Sequence, residues 1–115
     1  IIVTTPQNVS LQDSRRGLAM FKQMNIPILG VIENMTYFIP PDEPHKSYVI
    51  FGSGGGKQLA EENDVPLLSQ IPIESDIYSG TGNDLPVVHT SQNSITAKVF
   101  LELAESLCNS LSIKK

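Results

Sequence analysis

A single cysteine, Cys108, leaves this 115-residue chain unable to close an internal disulfide or to build a C-x-x-C metal site. That usage favours a reducing compartment. Basic charge is also scarce: eight Lys and Arg face twelve Asp and Glu, a net charge of −4, and no basic run exceeds the pair Arg15-Arg16. The chain therefore lacks an electrostatic footprint for nucleic acid, and its acidity serves solubility. No apolar stretch is long enough to span a bilayer, and the N-terminus lacks the charged-then-apolar order of a signal peptide. Internal repeats and low-complexity linkers are absent too. The expected location is the cytoplasm, or the plastid stroma in a plastid-bearing source.

The length suits one small α/β domain over residues 1–115. "IIVTTPQ" opens directly inside a β-branched apolar run of the kind buried in parallel sheets, which suggests a fragment of a longer protein. Ile1 to Thr4 reads as a strand broken by Pro6. Ser10 with Asp13 then resembles a capping box, opening a helix whose Leu11, Leu18 and Phe21 share a face with Met20 and Met24 alongside. Asn25 supplies its stop. "IPILGVIEN" gives a second strand, Ile28 to Ile32, ending in Glu33 and Asn34. Strand, helix, strand is a βαβ unit with parallel pairing.

"MTYFIPPDEPHKSYVIFG" reads as a β-hairpin excursion or ordered loop, followed by a helix from about Gly56 to Asn63 and a third strand running to Ile71. A turn-rich loop covers Glu74 to Pro86. The last helix opens near Ser94, with Thr96, Phe100, Leu103, Ala104, Leu107 and Leu111 as its buried stripe and Cys108 at the margin. The fold class is α/β, a partial doubly wound sheet of about three parallel strands with crossover helices and a short β-hairpin. Three strands are few for such a sheet, which again suggests a missing half.

"FGSGGGKQLAEE", Phe51 to Glu62, looks like a phosphate-binding loop and fails the test. The pattern G-x-x-x-x-G-K-[ST] ending on Gly56-Lys57 needs Gly at position 51 and Ser or Thr at position 58, which hold Phe51 and Gln58. A Gly-rich turn entering a helix is the better reading, although such a helix N-terminus can still attract an anion.

Ligands of open α/β sheets sit outside the carboxyl ends of the strands. That rule gathers Thr4 to Gln7, Glu33 to Thr36 and Pro72 to Tyr78 on one rim. The Asn34 amide can pair with a heterocycle edge such as adenine, or can simply bond its own backbone. Asp13, Glu33, Glu74 and Asp76 show no catalytic spacing, and His45 and His89 lack the neighbours of a metal site. Tyr37, Phe38, Tyr48 and Phe51 suit hairpin packing or a stacking surface.

Taken in order, "IIVTTPQNVSLQDSRRGLAMFKQMNIPILGVIENMTYF", "FGSGGGKQLAEENDVPLLSQIPIESDI" and "SGTGNDLPVV" closely resemble the C-terminal half of the Mrp/Nbp35-type iron–sulfur carrier ATPases, relatives of MinD and ParA. The resemblance covers nearly the whole chain. It implies a deviant-Walker P-loop ATPase that dimerises around nucleotide and passes iron–sulfur clusters to client apoproteins. ATP and Mg²⁺ are then the cofactors of the full-length protein, whose phosphate loop lies upstream of "TTPQ"; these 115 residues alone are expected to be inactive. Asn34 matches the strand-end residue facing adenine, Pro72 and Ile73 the loop on the base's other side, and Gln7 and Asp13 become dimer-interface candidates.

One departure is chemical. Many family members place C-x-x-C between the "ENM-x-YF" and "FG" strings, whereas "IPPDEPHKSYVI" contains no cysteine. Iron–sulfur ligation chiefly requires thiolates, so the usual cluster site is missing and cluster binding is in doubt. The alternative is a MinD/ParA-like positioning ATPase or a partner-binding module with no cluster role, for which the end helix and Lys114-Lys115 would form a membrane anchor.

Overall fold

The computed structural model describes residues 1–75, 77, 85–90 and 92–111. Asp76, Tyr78, most of the Ser79–Pro86 loop and Lys114-Lys115 lie outside them.

Three strands form one sheet in the order β1 (Ile2–Thr4), β2 (Val31–Phe38), β3 (Leu67–Ile73), with both pairings parallel. Helix α1 (Asn8–Gln23) connects β1 to β2, and α2 (Gly55–Glu62) connects β2 to β3. A short α3 (Val87–Thr90) and the longer α4 (Ile95–Ser110) follow. Alternation along the strands separates two cores. Ile2 and Val31 pack with Leu11, Leu18, Leu59 and Ala60 of α1 and α2, whereas Ile32 and Ile71 pack with Leu103 of α4. The sheet is thus sandwiched between helices, with α1 and α2 on one face and α4 on the other.

Several expectations shift by local physics. The first helix starts at Asn8 after Gln7, ahead of the capping box expected at Ser10 and Asp13. Ser10 Oγ instead accepts from Thr5 N at 3.0 Å and meets Thr4 Oγ1 at 3.1 Å, so the hydroxyl ties the β1–α1 turn. Met20 and Met24 are exposed, because Met20 lies roughly half a helical turn from the line through Leu11 and Leu18. Asn25 does end the helix region, in the left-handed conformation with φ 56°. On α4 the buried line runs through Thr96, Val99, Leu103 and Leu107, so Phe100, Ala104 and Leu111 of the expected stripe are exposed. Ser94 caps α4, its Oγ accepting from Ala97 N at 3.1 Å.

β2 begins at Val31 rather than Ile28 and continues through Glu33 and Asn34 to Phe38. A polar pair does not stop a strand whose carboxylate finds partners inside the fold. β3 likewise runs past Ile71 to Ile73. The excursion closes through an antiparallel bridge between Phe38 and Tyr48, as a hairpin requires, with Phe38 N donating to Tyr48 O at 2.7 Å. His89 sits in the helical turn α3, not beside a strand end.

Candidate functional site at the carboxyl rim of the sheet

Register defines the rim. Thr4 pairs with Glu33 and Asn34 with Ile71, after which the β2–β3 ladder is interrupted until Phe38 meets Ile73. Four steps along β2 therefore match two along β3, an irregularity of the bulge kind. Met35 takes up the excess in the left-handed region, φ 57°, and its N donates to Asn34 Oδ1 at 2.9 Å. Asn34 is accordingly the last regularly paired residue of β2, although the strand itself continues. Its carboxamide is half-buried, with Oδ1 held by the backbone and Nδ2 unbonded among the described residues.

Pro72 and Ile73 lie on the adjacent strand at the same edge, inside β3 rather than in a loop after it. Pro72 is fully buried and Ile73 half-buried. Gln7 is exposed on the same rim, three residues beyond β1, and accepts from Thr5 Oγ1 at 3.3 Å. Asp13 is exposed further along α1, away from the strand ends. The fold thus brings Asn34, Pro72, Ile73 and Gln7 to one edge and leaves Asp13 on a helix surface.

Of the four carboxylates without catalytic spacing, Glu33 and Glu74 have structural roles. Glu33, 1% exposed, accepts from Gly56 N at 2.7 Å through Oε2 and from Thr36 Oγ1 at 2.6 Å through Oε1. Gln70 Nε2 approaches Oε1 at 3.4 Å. Glu74 Oε1 accepts from Thr96 N at 2.7 Å and from Thr96 Oγ1 at 2.5 Å. Each carboxylate thereby serves the N-terminus of a helix, where orphan N–H groups and the macrodipole favour negative charge.

The glycine run is explained by the same geometry. Gly54 adopts φ 78° at the start of α2, a Cβ on Gly55 would lie 2.6 Å from Leu11 Cδ1, and one on Gly56 would lie 2.8 Å from Glu33 Oε2. The anion expected at this helix N-terminus is Glu33 itself. Beside the rim, a hollow of about 500 Å³ separates Pro40, Pro41 and Pro44 from Glu74, Asn93 and Ser94. Its described lining does not include Asn34, Pro72 or Ile73.

Among the described residues no group of three His, Cys, Asp or Glu side chains is placed to hold a metal ion. Cys108 is half-buried near the end of α4. Fourteen residue steps along the helix separate it from Ser94 at the rim, a rise of about 20 Å. It is thus remote from the excursion.

Comparison with known proteins follows the same lines. The family model for ParA, described as NUBPL iron-transfer P-loop NTPase, matches residues 1–108. This chain belongs to that family. It is 46% identical over 113 residues to an iron–sulfur cluster carrier protein of Synechocystis, covering 98% of this chain and 32% of the relative. It is 39% identical over 111 residues to an Arabidopsis thaliana mitochondrial iron–sulfur protein required for NADH dehydrogenase, covering 96% of this chain and 35% of that protein. The chain therefore spans about a third of the length of these curated relatives. Among solved structures, the septum site-determining protein MinD of Pyrococcus horikoshii, complexed with Mg-ADP, superposes with a TM-score of 0.72 at 26% identity, over 98% of this chain and 43% of that one. The fold is that of a fragment of a P-loop NTPase.

Proposed function

We propose that this chain forms the base-facing wall of an ATP site in a longer P-loop NTPase that carries or assembles iron–sulfur clusters. The observation that carries the reading is Asn34, which ends the regular ladder of the middle strand at the carboxyl edge, beside Pro72 and Ile73 of β3. A carboxamide there can donate through Nδ2 while Oδ1, already accepting from Met35 N, keeps a second lone pair for an exocyclic amine. The half-buried Ile73 supplies apolar contact to the base, and the buried Pro72 backs that edge from within the sheet. Residues 1–115 then form the C-terminal half of the ATPase domain. Phosphates and Mg²⁺ belong to residues outside the chain, and a homodimer formed around nucleotide would use the exposed Gln7 and Asp13.

The test is ADP binding by the full-length protein. Asn34→Ala is expected to weaken affinity about tenfold or more, in keeping with the ~1–3 kcal/mol of a bidentate amide–base pair. Unchanged affinity would remove Asn34 from the site.

A second reading, a partner-positioning ATPase with no cluster role, draws on the donor set. The excursion between Phe38 and Gly55 has no thiol, and Cys108 is the chain's single cysteine. Anaerobic reconstitution separates the two: bound iron with visible absorption supports the carrier, whereas a colourless, iron-free protein supports the positioning role. Among the described residues no helix is long and apolar enough to cross a membrane.

A further inference from the structure

Residues 39–54 leave the sheet after Phe38 and return at Gly55. Both roots of that excursion end on one buried carboxylate. Glu33 Oε1 accepts from Thr36 Oγ1 at 2.6 Å on the outgoing side, and Oε2 accepts from Gly56 N at 2.7 Å on the returning side. Between Glu33 and Thr36 lie the two residues that shape the rim, Asn34 and the left-handed Met35. The Glu33–Thr36 bond therefore spans the kink that sets the orientation of the Asn34 carboxamide.

Little slack exists on the other side. A Cβ at Gly56 would lie 2.8 Å from Glu33 Cβ, so the first turn of α2 rests directly on this side chain. With Glu33 1% exposed and charge-assisted bonds on both oxygens, a shift of either root must be met by the carboxylate or by loss of a bond. A Glu33 acting only as an internal cap for α2 would need Gly56 alone. Its second oxygen ties the cap to the rim.

We infer that Glu33 is a positioning residue that couples the base-facing rim at Asn34 to the excursion, so that nucleotide on the rim orders residues 40–54. The inference rests on the nucleotide reading above. Because coupling of two equilibria is reciprocal, the position of the excursion also tunes nucleotide affinity.

Hydrogen exchange in peptides covering residues 40–54, measured on the full-length protein with and without Mg-ADP, provides the test. ADP is expected to slow exchange there in the wild type. Thr36→Val cuts one root while leaving the Gly56 bond, and is expected to abolish the slowing and to weaken ADP binding several-fold; Thr36→Ser, which restores the hydroxyl, is expected to restore both. ADP bound with unchanged exchange in the wild type overturns the coupling and leaves the nucleotide reading standing, as does full slowing in a folded Thr36→Val. That wild-type comparison needs no substitution and decides the matter if Thr36→Val fails to fold. Failure of the wild type to bind ADP, or wild-type affinity in Asn34→Ala, overturns the nucleotide reading and the coupling with it.

Discussion

Gly56 N donates to Glu33 Oε2 at 2.7 Å, and the same approach leaves no room for a side chain at position 56. A helix N-terminus that resembles a phosphate cradle in sequence is thereby filled by the protein's own carboxylate. Glu74 does the same for α4 through Thr96. Carboxylates from β2 and from the end of β3 thus pin two helices to the sheet.

Gly56→Ala should be destabilising by about 1–3 kcal/mol, the range for forcing extra volume into a packed site. The contrast is Gly17→Ala in α1, where a Cβ meets nothing within 4 Å. That change should stabilise by about 0.5–1 kcal/mol through helix propensity. Denaturant midpoints of the two variants check both, and equal effects would disprove the close approach at Gly56.

Leu18 and Leu59 are fully buried where α1 and α2 meet the sheet. Either one changed to Ala is expected to lose ~2–5 kcal/mol. The exposed Met20→Ala should stay within about 0.5 kcal/mol in the same unfolding experiment.

The N-terminus of α4 has two supports, the Ser94 side chain and the Glu74 carboxylate. Ser94→Ala should cost about 1 kcal/mol, and Glu74→Ala about 1–3 kcal/mol because Thr96 N–H and O–H both lose their acceptor in a buried position. Exchange protection of the first turn of α4 reads the effect directly. An unaltered first turn in Glu74→Ala would contradict the bonding described.

Arg15 and Glu62 link α1 to α2 through a two-pronged ion pair, Nε to Oε2 at 3.0 Å and Nη2 to Oε1 at 3.2 Å. The hydrogen bond from Arg15 holds the Glu62 carboxyl below its usual range and raises the guanidinium in turn. With the folded value below the unfolded one, the pair's contribution is complete above the unfolded Glu value and fades as pH falls through the folded one. The pair is solvent-exposed, so salt should weaken it. A carboxyl titration by NMR should find Glu62 below the ordinary Glu range, and Arg15→Ala should raise it toward that range, the bond from Gln58 Nε2 remaining.

The α/β class, the parallel pairing, the Ser94 start of α4 and the Asn25 stop of α1 were legible in the sequence. Apolar β-branched runs, Gly and Pro punctuation and capping side chains act over a few residues, and a few residues suffice to recognise them. The α1 start escaped because Ser10, a good cap by type, is spent on Thr5 N. The face of α4 escaped because Phe100 and Leu111 lie close enough to the true line through Val99 and Leu103 that periodicity cannot separate them. At the rim, the sequence pointed to Asn34, Pro72 and Ile73, and the fold sets them on neighbouring strands at one edge. No spacing signalled that Glu33 joins the excursion's two ends.

By itself, then, the sequence determined the succession of strands and helices, the failure of "FGSGGGKQLAEE" as a phosphate loop, and the lack of thiols in the excursion. Each is a property of residue type and near neighbours. Only the tertiary structure decided what the glycines are for. The partner of Gly56 N is a carboxylate 23 residues away in the chain, brought within 2.7 Å because α2 packs on β2. A contact of that range is chosen by packing, since only the assembled sheet and helix exclude water from the carboxylate and offer it donors on both sides.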